Sequence, residues 1–136
     1  RLISVVMGTA SDAARTEASY ALLNYGYRFF ETRQIYAAKD AIATPRVWGG
    51  AQETVSLGSP TPVIATLPRN RFKDVKATAK LDEPIRAPID AGQVLGKMVL
   101  TLDDHEIAEV PLAALAAVPQ GSFFSRLVDD VKLMMK

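Results

Sequence analysis

The chain opens with Arg1-Leu2-Ile3-Ser4-Val5-Val6-Met7-Gly8, an apolar run with β-branched side chains at positions 3, 5 and 6. Apolar residues on consecutive positions predict a strand covered on both faces of a sheet. Such a strand needs paired neighbours for its N–H and C=O groups. No sheet precedes residue 1, so the expectation is the C-terminal part of a longer protein. After Gly8 the period becomes helical. Ser11 or Asp12 can cap the first turn, and Ala18, Ala21, Leu22, Tyr25 and Phe29 recur at helical spacing. This pattern predicts that Tyr20, Tyr25, Tyr27, Phe29 and Phe30 pack against the sheet, with an aromatic ligand platform as the alternative. Gly26 inside the pattern costs about 1 kcal/mol relative to Ala and predicts close packing there.

The helical pattern breaks between positions 36 and 45, where Ala37-Ala38-Lys39-Asp40 reads as a linker. From position 47 to 117 the dominant period is two. Val75, Ala77, Ala79 and Leu81 alternate with Lys76, Thr78 and Lys80, and Met98, Leu100 and Leu102 repeat the alternation. So do Ile85, Ala87 and Ile89, and Val63, Ala65 and Leu67. Turn signals fall between these runs at Gly58-Ser59-Pro60, Arg69-Asn70-Arg71, Asp82-Glu83-Pro84, Asp90-Ala91-Gly92 and Asp103-Asp104. Short strands so spaced predict a mainly β fold, a small antiparallel sandwich-like module. Pro119-Gln120-Gly121 closes it. Beyond lie Phe124, Leu127, Val128, Val131, Met134 and Met135 at helical spacing, an amphipathic helix. The expected organisation is a strand and helix over 1–37, a β-rich domain over 38–120 and the amphipathic helix over 121–136.

Composition narrows the function. The 136 residues are 49% hydrophobic, enough for a core, and Lys+Arg 16 against Asp+Glu 15 leaves a formal charge of +1. So small a net charge argues against nucleic acid or an acidic polymer as the main partner. No Cys is present, and the single His105 rules out a multi-histidine metal site within the chain. Neither a metal nor a cofactor is implied. No apolar span reaches the roughly 18 residues of a membrane-crossing helix.

No convincing active site emerges from the residues. A Ser–His–Asp arrangement could use only His105, which follows Asp103-Asp104 in a predicted turn and reads as a solvated residue. The adjacent carboxylates Asp103/Asp104 and Asp129/Asp130 read as solvated surface. Gly49-Gly50 lacks the strand-to-helix setting of a phosphate loop. None of the serines has a lysine three positions later, and S-D-N and K-T-G are absent.

The ordered segments nevertheless carry a resemblance over the whole chain. They are Arg1 to Gly8, Arg15-x-Glu17-Ala18-Ser19, and Leu22-Leu23-x-Tyr25-Gly26-Tyr27-Arg28-Phe29-Phe30-Glu31-Thr32, then Val47-Trp48-x-Gly50, Ser56-Leu57-Gly58 and Pro68-Arg69. Lys76-Ala77, Pro88, Gly92-Gln93-Val94-x-Gly96, Pro111-Leu112 and Phe123-Phe124 continue the series. Together they resemble the C-terminal part of low-molecular-mass penicillin-binding proteins of the D-alanyl-D-alanine carboxypeptidase family. The stretch around Gly26-Tyr27-Arg28-Phe29-Phe30-Glu31-Thr32 is the most specific.

The resemblance implies a serine acyl-enzyme hydrolase that trims the terminal D-Ala from peptidoglycan pentapeptides and is acylated by β-lactams. It implies a place at the periplasmic face of the inner membrane. The catalytic Ser, Lys and K-T-G strand would precede Arg1, so no catalytic residue is expected in this segment. Residues 1 to about 36 would be the last strand and helix of an α/β peptidase domain. The β region would be a spacer or docking platform for protein partners, and the tail a membrane anchor through Phe123, Phe124, Leu127, Val128, Val131, Met134 and Met135. Arg15 matches a family arginine near the carboxylate of the terminal D-Ala. A guanidinium fork beside helix N-terminal amides suits such an anion. The alternative for Arg15 is a surface residue paired with Glu17 or Ser11, and for the tail, packing of Phe123, Phe124 and Leu127 on the β domain.

A different class of reading keeps the β region as a stand-alone protein- or glycan-binding module without enzymatic role. Trp48, Arg69, Arg71 and Lys73 would be its contacts, although a lone Trp is more often a core or interdomain residue. If residues 1–36 stand apart from a peptidase sheet, their apolar faces predict disorder, rearrangement against the β region, or exchange with another copy.

Overall fold

The computed structural model of the protein describes residues 1–121, with the element order α1 (Asp12–Phe29), β1 (Phe30–Tyr36), β2 (Leu57–Gly58), β3 (Val63–Pro68), a short 3-10 turn (Phe72–Asp74), β4 (Lys76–Leu81), β5 (Val94–Leu102) and β6 (His105–Ala114). The amphipathic helix expected over 121–136, with Phe123, Phe124, Leu127, Val128, Val131, Met134 and Met135, lies outside the described residues apart from Gly121. The fold is mainly β, as the period-two pattern predicts. β1 and β3 pair as a two-stranded sheet, and the other strands form a four-stranded antiparallel sheet in the order β2-β6-β5-β4. The described residues divide into two compact units, Arg1–Arg33 with Ala65–Lys73, and Gln34–Ile64 with residues 74–121.

The second unit holds the core. Leu57, Met98, Leu100 and Leu112 are completely buried, and Val47, Val55, Ile85, Ile89 and Val118 pack with them. β5 and β6 supply its centre and are joined by the two-residue turn Asp103-Asp104, both at positive φ (51° and 62°). That conformation is the one whose twist matches a right-handed hairpin, and Asp tolerates it. Ile85 and Ile89 enter the core as the alternation predicts, but from a bridged segment and not a strand. Trp48 N–H donates to the Ile85 carbonyl at 2.8 Å, and Ile89 and Val118 exchange backbone bonds at 2.8 and 2.9 Å. Pro84 and Pro88 lack the donors that a continuous ladder would use.

β4 departs from expectation. Its alternation is the cleanest in the chain, yet Lys76, Ala77, Thr78, Ala79 and Lys80 are all exposed, because β4 is the terminal strand of its sheet. Ala77 and Ala79 lie opposite the buried Leu100 and Met98, so the core closes over β5 and leaves the alanines outside it.

The first unit is built around α1. Ser11 caps it as predicted, its Oγ accepting from the Ala14 N–H at 3.1 Å. At the other end the Phe30 N–H bonds the Gly26 carbonyl. Arg69 completes the end. Its Nε donates to the Arg28 carbonyl at 2.9 Å, its Nη2 to the Tyr27 carbonyl at 2.8 Å, and its backbone N–H to the Phe29 carbonyl at 2.9 Å. The close packing predicted at Gly26 is present: a Cβ there would lie 2.6 Å from Leu2 Cδ1.

Three expectations for this unit are corrected. Residues 1–8 form no strand, since no described strand runs beside them to share a ladder. Instead their exposure alternates, with Leu2, Ser4 and Val6 half-buried and Ile3, Val5 and Met7 exposed. Next, of the residues expected to pack only Ala18 and Phe30 are half-buried; the helix face that packs is Ala14, Ala18, Ser19, Leu23 and Gly26, while Ala21, Leu22, Tyr25 and Phe29 are exposed, together with Tyr20 and Tyr27. The predicted face shares a side of the helix, but the described chain covers a different side. Finally, the alternative of disorder is not met over Asp12–Phe29, where α1 forms over its full 18 residues.

Candidate functional site

Arg15 sits in the first turn of α1, where its backbone N–H bonds the Ser11 carbonyl at 3.0 Å. Its Nη2 lies 3.3 Å from Asp12 Oδ1, and the two side chains are 60% and 92% exposed. Asp12, and neither Glu17 nor Ser11, is therefore its side-chain partner. An ion pair so exposed is worth little, so the guanidinium is available to another anion. Thr9 Oγ1 donates to the Ser11 carbonyl at 3.2 Å and Thr16 Oγ1 to the Asp12 carbonyl at 2.9 Å. These bonds shape a polar, solvent-facing helix start.

The residues weighed as β-region contacts fall into different settings. Arg69 spends its guanidinium on the end of α1, which fixes it as a structural residue. Arg71 is partnered as well. Lys73 borders a shallow groove of about 380 Å³ with Glu31, Arg33, Asn70 and Phe72, in which Arg33 stacks over the Phe72 ring at 5.2 Å. Trp48 is half-buried with the Arg46 guanidinium 4.4 Å above its ring, a cation–π contact that occupies the face a ligand would need. His105 and Asp104 are exposed at the β5–β6 hairpin, as expected of solvated residues. Among the described residues, no group of three His, Asp or Glu side chains could hold a metal ion, and no helix is long and apolar enough to cross a membrane.

A second polar groove lies on the four-stranded sheet, lined by Lys80, Leu81, Asp82, Val94, Gly96, Lys97, Glu109 and Pro111, with a volume of about 470 Å³. Lys97 Nζ reaches Glu109 Oε2 at 2.8 Å. The hydrogen bond and charge of Glu109 hold the Lys97 ammonium above the ordinary lysine pKa; Glu106 and Asp82 add to this and desolvation opposes it. Lys97 also lies directly opposite Lys80. The sequence shows the alternation that carries these lysines. It does not show that they meet, because the register of β4 against β5 is set by pairing across the segment 82–93 that joins them and not by the pattern of either strand alone.

Comparison with known proteins supplies what the site geometry does not. Residues 30–120 match the family described as penicillin-binding protein 5, C-terminal domain. The D-alanyl-D-alanine carboxypeptidase DacA of Escherichia coli K12 is 39% identical over 135 residues, covering 98% of the chain and 34% of the relative. DacC of the same organism is 40% identical over 137 residues, again across 34% of its length. The chain thus spans about a third of the relatives it matches. Among solved structures, penicillin-binding protein 5 from Haemophilus influenzae superposes with a TM-score of 0.79 at 34% identity, over 85% of the chain and 34% of that structure.

Proposed function

The chain belongs to the family of penicillin-binding protein 5 C-terminal domains, and on that premise we propose that it is the C-terminal segment of a serine-type D-alanyl-D-alanine carboxypeptidase. The observation that carries this reading is the match to carboxypeptidases along nearly the whole chain at 39–40% identity. The parent protein removes the terminal D-Ala of peptidoglycan pentapeptides through an acyl-enzyme and is acylated by β-lactams in the same way. Its nucleophile and general base belong to a part of the protein that this segment does not contain. Residues 1 to about 37 complete the peptidase domain, and its remaining elements cover the exposed Ile3, Val5, Tyr25 and Phe29. A fluorescent penicillin tests the assignment: it labels the intact parent protein and leaves the segment unlabelled. An unlabelled parent protein would sink the enzymatic reading.

Within that enzyme Arg15 binds the terminal carboxylate of the substrate. The support is its matching position, its exposure and its weak tie to Asp12. A bidentate guanidinium–carboxylate pair is among the stronger charge-assisted contacts. Arg15→Ala in the parent protein is expected to lower kcat/KM for a peptide ending in free D-Ala by about tenfold to a hundredfold. The loss should shrink for the same peptide ending in an amide; an equal loss for both would remove the carboxylate role.

The β-rich region spaces and docks the catalytic unit at the periplasmic face of the inner membrane. The anchor is assigned to the C-terminal residues Phe123, Phe124, Leu127, Val128, Val131, Met134 and Met135, which lie outside the described residues. Fractionation of the parent protein with and without residues 122–136 tests this. Equal membrane recovery of the two forms would end the anchor reading.

A further inference from the structure

We propose that β4 is a docking edge for an extended, acidic peptide segment of a partner protein, which adds to the four-stranded sheet as a further strand. The proposal concerns the second unit alone and does not depend on the carboxypeptidase assignment. β4 is the terminal strand of its sheet, and no described strand pairs with its outer side. It pairs with β5 over six consecutive positions without a bulge, and it contains no proline. A regular edge of this kind presents main-chain donors and acceptors to an incoming strand. The side chains of Ala77, Thr78 and Ala79 are small and exposed, so a second backbone can approach at ladder distance.

Charge selects the occupant. Lys76 and Lys80 project on one face, separated by Thr78, and neither makes an ion pair with a described residue. Lys80 lies directly opposite Lys97, whose ammonium is paired to Glu109 with Glu106 and Asp82 nearby, so the positive charge left for a partner is that of Lys76 and Lys80. Two copies of β4 meeting edge to edge would set lysines against lysines, which disfavours self-pairing. A strand with carboxylates four residues apart, about 13 Å along its length, places one against each free lysine. The same lysines that repel a second copy therefore admit an acidic strand.

The test uses the full chain and a labelled peptide, acetyl-Thr-Glu-Val-Thr-Val-Glu-Thr-amide, read by fluorescence anisotropy. Its counterpart carries Lys in place of both Glu, and a third form is N-methylated at alternate residues. The acidic peptide is expected to bind, and the paired change Lys76→Glu and Lys80→Glu should weaken it by about tenfold while admitting the basic counterpart. Lys76→Gln with Lys80→Gln gives an intermediate loss, and unchanged Trp48 emission confirms that each variant is folded. N-methylation should remove binding, because the ladder is main-chain. Three results would overturn the proposal: no binding of the acidic peptide, equal binding to the charge-reversed chain, or full affinity of the N-methylated form.

Discussion

The two units treat their large apolar residues in opposite ways. In the second unit Leu57, Met98, Leu100 and Leu112 are sealed from solvent by strands and bridged segments of the same unit. In the first, α1 has no fully buried residue, and Tyr20, Leu22, Tyr25, Tyr27 and Phe29 stand 48–66% exposed. Both regions carry apolar residues at a regular spacing. The difference shows that periodicity identifies residues sharing a face, whereas burial depends on whether another element reaches that face. The second unit carries its own covering layer; no described element covers the apolar side of α1.

Truncations in the two units should separate them most widely. Leu100→Ala, at a fully buried site, is expected to cost about 3 kcal/mol. Urea unfolding followed by Trp48, the only tryptophan and a residue of that unit, measures it. Leu22→Ala in α1 is expected to change stability by no more than about 0.5 kcal/mol, read by far-UV circular dichroism, since it removes little burial and adds a good helix former. Comparable losses at both positions would mean that Leu22 is buried in solution and would erase the contrast. Gly96→Ala comes next, at about 2 kcal/mol by the same Trp48 signal. A Cβ at Gly96 would fall 2.5 Å from the Lys80 carbonyl oxygen and 2.9 Å from Leu81 Cα, both backbone atoms that can move only by parting β4 from β5.

Much of the second unit is legible in the sequence, because its core follows the period-two runs and its turns follow their residues. Asp103-Asp104 is a turn signal and occupies the turn; Met98 and Leu100 alternate and are buried. What is not legible is position within the sheet. Val75, Ala77, Ala79 and Leu81 alternate better than any other run, yet edge placement and the small alanine side chain leave Ala77 and Ala79 exposed. β1 was hidden for a related reason. Phe30-Glu31-Thr32 continues the aromatic spacing of α1, and only the non-helical Phe30 (φ −118°, ψ 155°) ends the helix there. Arg15 could be singled out through family resemblance alone. Its surroundings, Asp12 and a solvated helix start, carry no local mark of a binding site.

Smaller effects test how the first unit holds its helix. Arg69→Ala removes two side-chain bonds to the last carbonyls of α1 and should cost about 1–2 kcal/mol. Amide exchange near the end of the helix measures it, with faster exchange confined to the last turn. Arg69→Lys should recover only part of the loss, because one ammonium does not reproduce the two-pronged geometry. Ser11→Ala at the other end should cost about 1 kcal/mol, with faster exchange of the Ala14 amide.

The smallest effect concerns the paired charges on the sheet of the second unit, and its sign is fixed by the direction of the Lys97 shift. Glu109 holds the Lys97 ammonium above the ordinary lysine pKa in the folded protein. The folded state therefore keeps a proton that the unfolded chain releases at lower pH. Its contribution to stability is complete below the unfolded lysine pKa and is lost as the pH rises through the folded value. Both partners are nearly half exposed, so the effect is small and weakens with salt. Urea midpoints followed by Trp48 at neutral and strongly alkaline pH should show an alkaline decline that is shallower in Lys97→Met. A decline of the same size in Lys97→Met would show that the pair does not couple to folding. Removing the Lys97 charge also relieves its opposition to Lys80, so the variant should lose less at neutral pH than Glu109→Gln, which leaves two lysines facing each other without their carboxylate.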